Sequence, residues 1–136
     1  RAVEGFAAAL DRAEAYREAG ADVLFIEAPQ TLEEMKQLCG QFHGRVPLLA
    51  NMVEGGKTPI KSAADLAELG YSIAIFPGGA VRAISHHLQA YYDGLLSTGS
   101  NAGFASQMHD FNGLNDLIGT ADLMRLGGTY EPDPTD

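Results

Sequence analysis

Three short apolar runs end in, or lead to, groups able to do chemistry. DVLFIE (22–27) ends in the carboxylate of Glu27, VPLLAN (46–51) in the amide of Asn51, and SIAIFP (72–77) runs into Gly78 and Gly79. An ionised carboxylate closing an apolar strand is costly to desolvate, so it must be paired or put to use. By position, Glu27 is either a working carboxylate or a helix-capping or salt-bridging one. Asn51 carries both a donor and an acceptor, which suits recognition of a carboxylate or hydroxyl. Turn-forming asparagines at strand ends are also common. In barrels and open α/β sheets functional groups gather at the carboxyl ends of the strands. That rule selects Glu27 and Ala28, the stretch from Asn51 to Thr58, and the stretch from Phe76 to Gly79.

The loop Glu54-Gly55-Gly56-Lys57-Thr58-Pro59 invites a phosphate-binding reading, and its spacing refuses it. The motif G-x-x-x-x-G-K-[ST] requires a first glycine at position 51, which is Asn. Pro59 also disfavours the α conformation at Thr58, where that motif's helix is already under way. The glycines fit a mobile loop over a pocket, with Lys57 solvated. His43, His86, His87 and His109 show no metal-ligand spacing. His86 and His87 are neighbours on a helix and point apart, which suits a surface or interface. Cys39 lies on the apolar stripe of a helix and is read as a packing residue rather than a nucleophile.

The apolar runs that carry these groups are too short for helices and rich in Val, Ile, Leu and Phe, as in parallel strands covered on both faces. Helical patterns separate them. Phe6, Leu10 and Ala13 follow helical spacing, and Gly20 stops that helix. Thr31 and Glu34 make a capping-box pair ahead of Leu32, Met35, Cys39 and Phe42. Ser62 and Asp65 repeat the signal before Leu66 and Leu69, with Gly70 as the stop. A long helix is predicted from Ala80 to Leu96 with Val81, Ile84, Leu88, Tyr91 and Leu95 on one stripe, closed by Gly99. A last one begins at Asp110 with Phe111, Leu114 and Leu117 inward. The order α-β-α-β-α-β-α-α, with strands about 25 residues apart, predicts right-handed βαβ units and a parallel sheet. Three such strands have two open edges, which pair with further sequence or belong to a small open sheet.

Composition narrows the class. The 136 residues are 46% hydrophobic, ordinary for a globular domain. A complete eight-stranded α/β barrel takes about 250 residues. The net charge of −9 lacks the basic face of a nucleic-acid binder. A single cysteine forbids an intrachain disulfide and fits a reducing compartment. No window suits a membrane span, and no signal peptide is evident, so a cytoplasmic location is expected. The chain begins at Arg1 rather than Met, which reads as a boundary of the sequence and not of the protein.

Read together, RAVEGFAAALDRAEAYREAGADVLFIEAP, VPLLANMVEGGKTP and IAIFPGGAVRA resemble the second half of the isocitrate lyase/phosphoenolpyruvate mutase superfamily. The likeness extends from residue 1 to about 119. It implies the C-terminal part of a (β/α)8 TIM barrel: strands 6–8 and flanking helices over 1–99, a C-terminal helical segment over 100–126, and a loosely ordered tail from 127. It implies Mg2+-dependent chemistry on a small 2-oxo or 2-hydroxy carboxylic acid, by a C–C lyase or decarboxylase or a phosphonomutase, through an enolate-like species.

Carried over by residue, Glu27 matches the active-site glutamate after the sixth strand. Asn51 matches the carboxylate-binding asparagine after the seventh, with Met52 and Val53 beside it in the substrate-binding segment. Arg82 matches a substrate-contacting arginine just past the eighth. These types fit those roles, since a carboxylate can take a hydroxyl proton and an amide and guanidinium can bind carboxylate oxygens.

Two departures shift the substrate. Val53 stands where methylisocitrate lyases carry Thr, and Phe111 where they carry a substrate-binding Arg. Both losses favour a smaller or more apolar acid than a tricarboxylate. The Mg2+ ligands belong to the family's first half, so the chain alone is expected to lack turnover. Family members form homo-oligomers, commonly tetramers that exchange a C-terminal helix. The rival reading is a non-catalytic half-barrel or α/β binding module that self-associates.

Overall fold

The first helices start and stop where the sequence supplies caps. A computed structural model describes residues Arg1–Tyr130. Helix α1 (Phe6–Glu18) ends at Ala19, followed by Gly20 at φ 97°, the left-handed turn glycine allows. Helix α2 (Leu32–Phe42) opens with the Thr31 side chain accepting from the Glu34 amide at 3.1 Å. The reciprocal half of the expected box is replaced. The Glu34 carboxylate instead accepts from the Gln30 amide at 2.6 Å and from Arg1 at 2.8 Å. Helix α3 (Ala63–Leu69) has the complete box between Ser62 and Asp65, and Gly70 closes it at φ 111°.

Strand β1 (Leu49–Asn51) and strand β2 (Ile73–Ile75) pair in parallel, Leu49 opposite Ile73 and Asn51 opposite Ile75. The expected strand over 22–27 is realised only as a single parallel bridge, Leu24 to Leu48. Two bonds hold it: the Leu24 amide to the Pro47 carbonyl at 2.9 Å and the Leu49 amide to the Leu24 carbonyl at 3.0 Å. The three extended runs therefore lie in chain order, with the 22–27 run at one edge. That edge run stays beside β1 for one residue pair, whereas β2, the other edge, pairs over three.

Residues of alternate parity separate the two faces of these runs. Leu24, Ile26, Leu48, Ala50 and Met52 are buried with Leu10 and Ala13 of α1, Met35, Leu38, Cys39 and Phe42 of α2, and Leu66 and Tyr71. Each large apolar side chain so enclosed contributes about 1.5–3 kcal/mol relative to exposure. The opposite parity is open: Val23, Phe25, Ile73 and Ile75 are all exposed, Phe25 by 48%. The expectation that both faces are covered is thus corrected. Within Arg1–Ile84, helices cover one face and no residue of that unit covers the other.

The chain divides into two units, Arg1–Ile84 and the residues from Ser85 on, with the division inside helix α4 (Gly79–Thr98). The second unit continues through a 3-10 segment (Ala102–Gln107), helix α5 (Phe111–Leu117) and helix α6 (Thr120–Gly128). Asp110 caps α5 as expected, accepting from the Gly113 amide at 2.7 Å. Helix α6 falls within the helical segment expected over 100–126 and runs on through Gly127 and Gly128, the first residues of the expected tail. The rest of the expected tail beyond Tyr130 lies outside the described residues. No described residue of this unit is buried. Phe111 is 84% exposed and Leu117 69%, so their expected inward placement is corrected. Within the unit the Tyr91 and Phe104 rings meet edge-on, 5.5 Å apart. No described helix is long and apolar enough to cross a membrane.

Candidate active site

The carboxyl ends of the parallel runs form a cleft of ≈300 Å3 lined by Glu27, Ala28, Asn51, Val53, Gly56, Lys57 and Thr58. Glu27 and Asn51 reach it because both have the parity of the open face, and Val53 follows Asn51 two residues on. Helix α1 and the edge run border a second cleft of ≈290 Å3, which Glu27 also lines along with Arg1, Arg12 and Tyr16. Glu27 is exposed.

Two local features mark the first cleft. Ala28 has φ 58°, a left-handed conformation that costs a non-glycine residue about 1–2 kcal/mol. Strain of this kind concentrates where the backbone must aim a side chain, and here it directly follows Glu27. The second feature is Asn51 Oδ1, buried with no hydrogen-bond partner. An acceptor in that condition costs about 1–3 kcal/mol, and a donor-bearing ligand in the cleft would relieve it.

The remaining expected site residues are distributed differently. Met52 has the core parity: its side chain is wholly enclosed, and its amide donates to the Ile75 carbonyl at 2.8 Å. Substrate contact by the Met52 side chain is therefore corrected to core packing. Arg82, in the first turn of α4, does not line the cleft. Its Nη1 donates to the Glu54 carbonyl at 2.6 Å and approaches the Glu54 carboxylate at 3.4 Å. Lys57, read from sequence as solvated, is exposed yet forms part of the cleft wall. Its place depends on a turn in which the Gly56 amide meets the Val53 carbonyl at 2.9 Å, with Gly55 at φ 75°. No sequence signal separates that placement from solvation.

Cys39 is confirmed as a packing residue. Burial pushes its thiol up to about 11, and a hydrogen bond with Tyr71 opposes this only partly. Among the described residues no group of three or more His, Cys, Asp or Glu side chains could hold a metal ion. What the cleft offers is a carboxylate, an amide with an unused acceptor, an ammonium and a hydroxyl, which together suit a small polar acid.

Comparison with known proteins finds relatives over most of the chain. The family model described as phosphoenolpyruvate phosphomutase matches residues 1–96. The 2,3-dimethylmalate lyase of Eubacterium barkeri is 38% identical over 130 residues, covering 96% of this chain and 44% of that protein. A 2-methylisocitrate lyase of Aeropyrum pernix is 38% identical over 122 residues, covering 90% of this chain and 39% of that one. A crystal structure of 2,3-dimethylmalate lyase superposes with a TM-score of 0.84 at 31% identity, over 95% of this chain and 44% of that chain. The chain thus spans about two fifths of the length of the curated enzymes it matches. With the match covering most of its length, the chain belongs to the isocitrate lyase/phosphoenolpyruvate mutase superfamily.

Proposed function

We propose that this chain forms strands 6–8 and the C-terminal helices of a TIM-barrel enzyme. Its Glu27–Asn51 cleft grips a small 2-oxo or 2-hydroxy carboxylic acid during C–C cleavage, decarboxylation or phosphonomutase chemistry. The observation that carries the reading is the buried, unpartnered Asn51 Oδ1 in a cleft shared with Glu27. On this reading Asn51 donates its amide N–H to a substrate carboxylate, and its Oδ1 accepts from a substrate or water hydroxyl. For a 2-hydroxy acid, Glu27 takes the hydroxyl proton. The oxygen's electrons then form the carbonyl, the adjacent C–C bond breaks, and its electron pair passes to the departing enolate.

Val53 and Phe111 bring no hydrogen-bonding group to carboxylates, which favours a smaller or more apolar acid than a tricarboxylate. The dimethylmalate-type lyase, decarboxylase and mutase branches fit that better than the methylisocitrate lyases. The described residues do not fit a Mg2+ site, since they bring no set of carboxylates together. Mg2+ is assigned, as the family resemblance implies, to ligands in the other half of the barrel, and no step above is routed through it. The same reading gives the chain alone no turnover, places the enzyme in the cytoplasm, and makes it a homo-oligomer, a tetramer when whole. The uncovered apolar residues of α4, α5 and α6 support association.

The test is a substrate panel of oxaloacetate, methylisocitrate, dimethylmalate and phosphonopyruvate on the protein carrying the complete barrel. Turnover of one of the last two or of oxaloacetate, lost in Glu27→Gln, is the expected result. Preference for methylisocitrate would overturn the substrate argument. Turnover by the 136-residue chain with Mg2+ would overturn the division of labour.

A further inference from the structure

Arg82 points away from the role its position suggests. Its guanidinium makes its shorter bond to a backbone atom, the Glu54 carbonyl at 2.6 Å, and its longer one to the Glu54 carboxylate at 3.4 Å. Gly78 leaves room for the guanidinium, while a Cβ on Gly79 would meet Glu54 at ordinary contact distance. A Cβ on Gly78 would stand 3.3 Å from Arg82 Nε, and one on Gly79 would stand 3.5 Å from Glu54 Oε1. Glu54 opens the loop that carries Lys57 and Thr58 into the cleft wall. Two of that loop's residues are glycines, one of them at positive φ, so its backbone has little stiffness of its own. A fixed point at Glu54, together with the Gly56 amide's bond to the Val53 carbonyl, therefore restricts where Lys57 can lie. Lys57 has no hydrogen-bond or ion-pair partner among the described residues, which leaves its ammonium available to an anion in the cleft.

We propose that Arg82 is a positioning residue that clamps the Glu54 backbone and so holds Lys57 in the cleft as a cation for the substrate carboxylate. This deepens the carboxylate reading of the cleft and rests on it for the role of Lys57. The clamp is a charge-assisted bond to a carbonyl, so it survives loss of the Glu54 charge and fails with loss of the guanidinium. The ion-pair component is exposed on both sides and adds little.

Two measurements on the protein carrying the complete barrel decide it, the binding assay with Mg2+ present. The first is the rate of tryptic cleavage after Lys57 in the folded protein, with circular dichroism confirming the fold. Arg82→Ala is expected to raise the rate at least about fivefold and Glu54→Gln less than about twofold. Equal rates in Arg82→Ala and the parent overturn the clamp, as does release by Glu54→Gln as large as that by Arg82→Ala.

The second measurement is binding of oxalate, as a minimal dicarboxylate probe, to the parent, Arg82→Ala, Lys57→Ala and the double variant. If Arg82 acts through Lys57, the double variant binds no more weakly than Lys57→Ala. Additive losses show that Arg82 meets the anion itself and overturn the positioning role. Absence of oxalate binding, or binding indifferent to Lys57→Ala, overturns the cation role of Lys57 and with it the carboxylate reading. The cleavage rates judge the Arg82 clamp separately in that event.

Discussion

Replacing Asn51 by Leu should stabilise the folded chain while removing the group proposed to grip substrate. Asn51 Oδ1 is buried without a partner, and an unsatisfied buried acceptor costs about 1–3 kcal/mol. Leucine keeps the branch at Cγ and has no acceptor; it is larger, and the open cleft beside half-buried Asn51 gives the extra volume room. Asn51 as a whole is only half-buried, so the lower end of that range applies, about 1 kcal/mol. Urea unfolding is the assay. With a denaturant dependence of about 2 kcal/mol per M, the midpoint should rise by roughly 0.5 M at unchanged slope.

Asn51→Asp provides the opposite sign in nearly the same shape. It places charge at a half-buried position whose Oδ1 has no donor and which shares a cleft with Glu27; with Lys57 exposed and solvated, these outweigh the ammonium, so its folded-state pKa should rise above the unfolded value near 3.9. A raised carboxyl pKa destabilises at high pH. The deficit should grow as pH rises through the unfolded value and level off above the folded one. If Asn51→Leu lowers the midpoint, Oδ1 is satisfied in the native protein and the argument from an unused acceptor fails. If Asn51→Asp is neutral at every pH, the cleft is wetter than its geometry implies.

Three further outcomes follow from other residues. Cys39, with its thiol pushed up to about 11, should resist a thiol reagent in the native protein and react at the rate of unfolding; rapid stoichiometric labelling without denaturant would contradict its burial. Gly70→Ala should cost about 2 kcal/mol or more, because φ is 111° and a Cβ would stand 2.9 Å from His43 Nδ1. Trimming the ring in a His43→Ala background should recover part of that loss in denaturant unfolding. Glu34 is held below the usual carboxylate range chiefly by the Arg1 hydrogen bond, so its contribution is present above its ordinary value of 4.5 and is lost as pH falls through the lower folded value. Glu34→Gln should therefore flatten the acid limb of a stability–pH curve below about pH 5, and an unchanged limb would refute the pairing.

Local signals predicted the elements best where the determinant was itself local. Ser62 with Asp65, Asp110, and the stop glycines Gly20, Gly70 and Gly99 mark helix ends because a cap needs only neighbours within a few residues. Thr31 was readable as a cap, but the destination of the Glu34 carboxylate was not. Arg1 lies 33 residues away and competes successfully for it. The 22–27 run has the composition of a strand, yet how many residues pair depends on its register and path beside β1, and composition does not report them. The site shows the same limit. Glu27 and Asn51 were identifiable from their place at the ends of apolar runs. The strain at Ala28, the Glu54 partner of Arg82 and the placement of Lys57 all depend on loop geometry that no residue pattern encodes.

Parity links the fold to the chemistry more tightly than any single contact. Glu27 shares its side of the chain with Val23 and Phe25, while Leu24 and Ile26 face the helices. Asn51 and Val53 alternate with Ala50 and Met52 in the same way. A shift of one residue in either run would drive a carboxylate or an amide into the core and bring a buried Ile, Ala or Met out, so the core itself enforces which side the site occupies. The helix-covered face supplies the stability, since every fully enclosed side chain of the first unit belongs to it. The open face is free to carry groups that cost stability, such as the strained Ala28 and the unpartnered Asn51 oxygen. On this division, substitutions at even-numbered positions of these two runs should act on unfolding and leave affinity alone. Substitutions at Glu27, Asn51 and Val53 should instead lower affinity without loss of stability, Asn51→Leu even gaining some, which is the pattern expected if the carboxyl end of the open face is where the substrate lies.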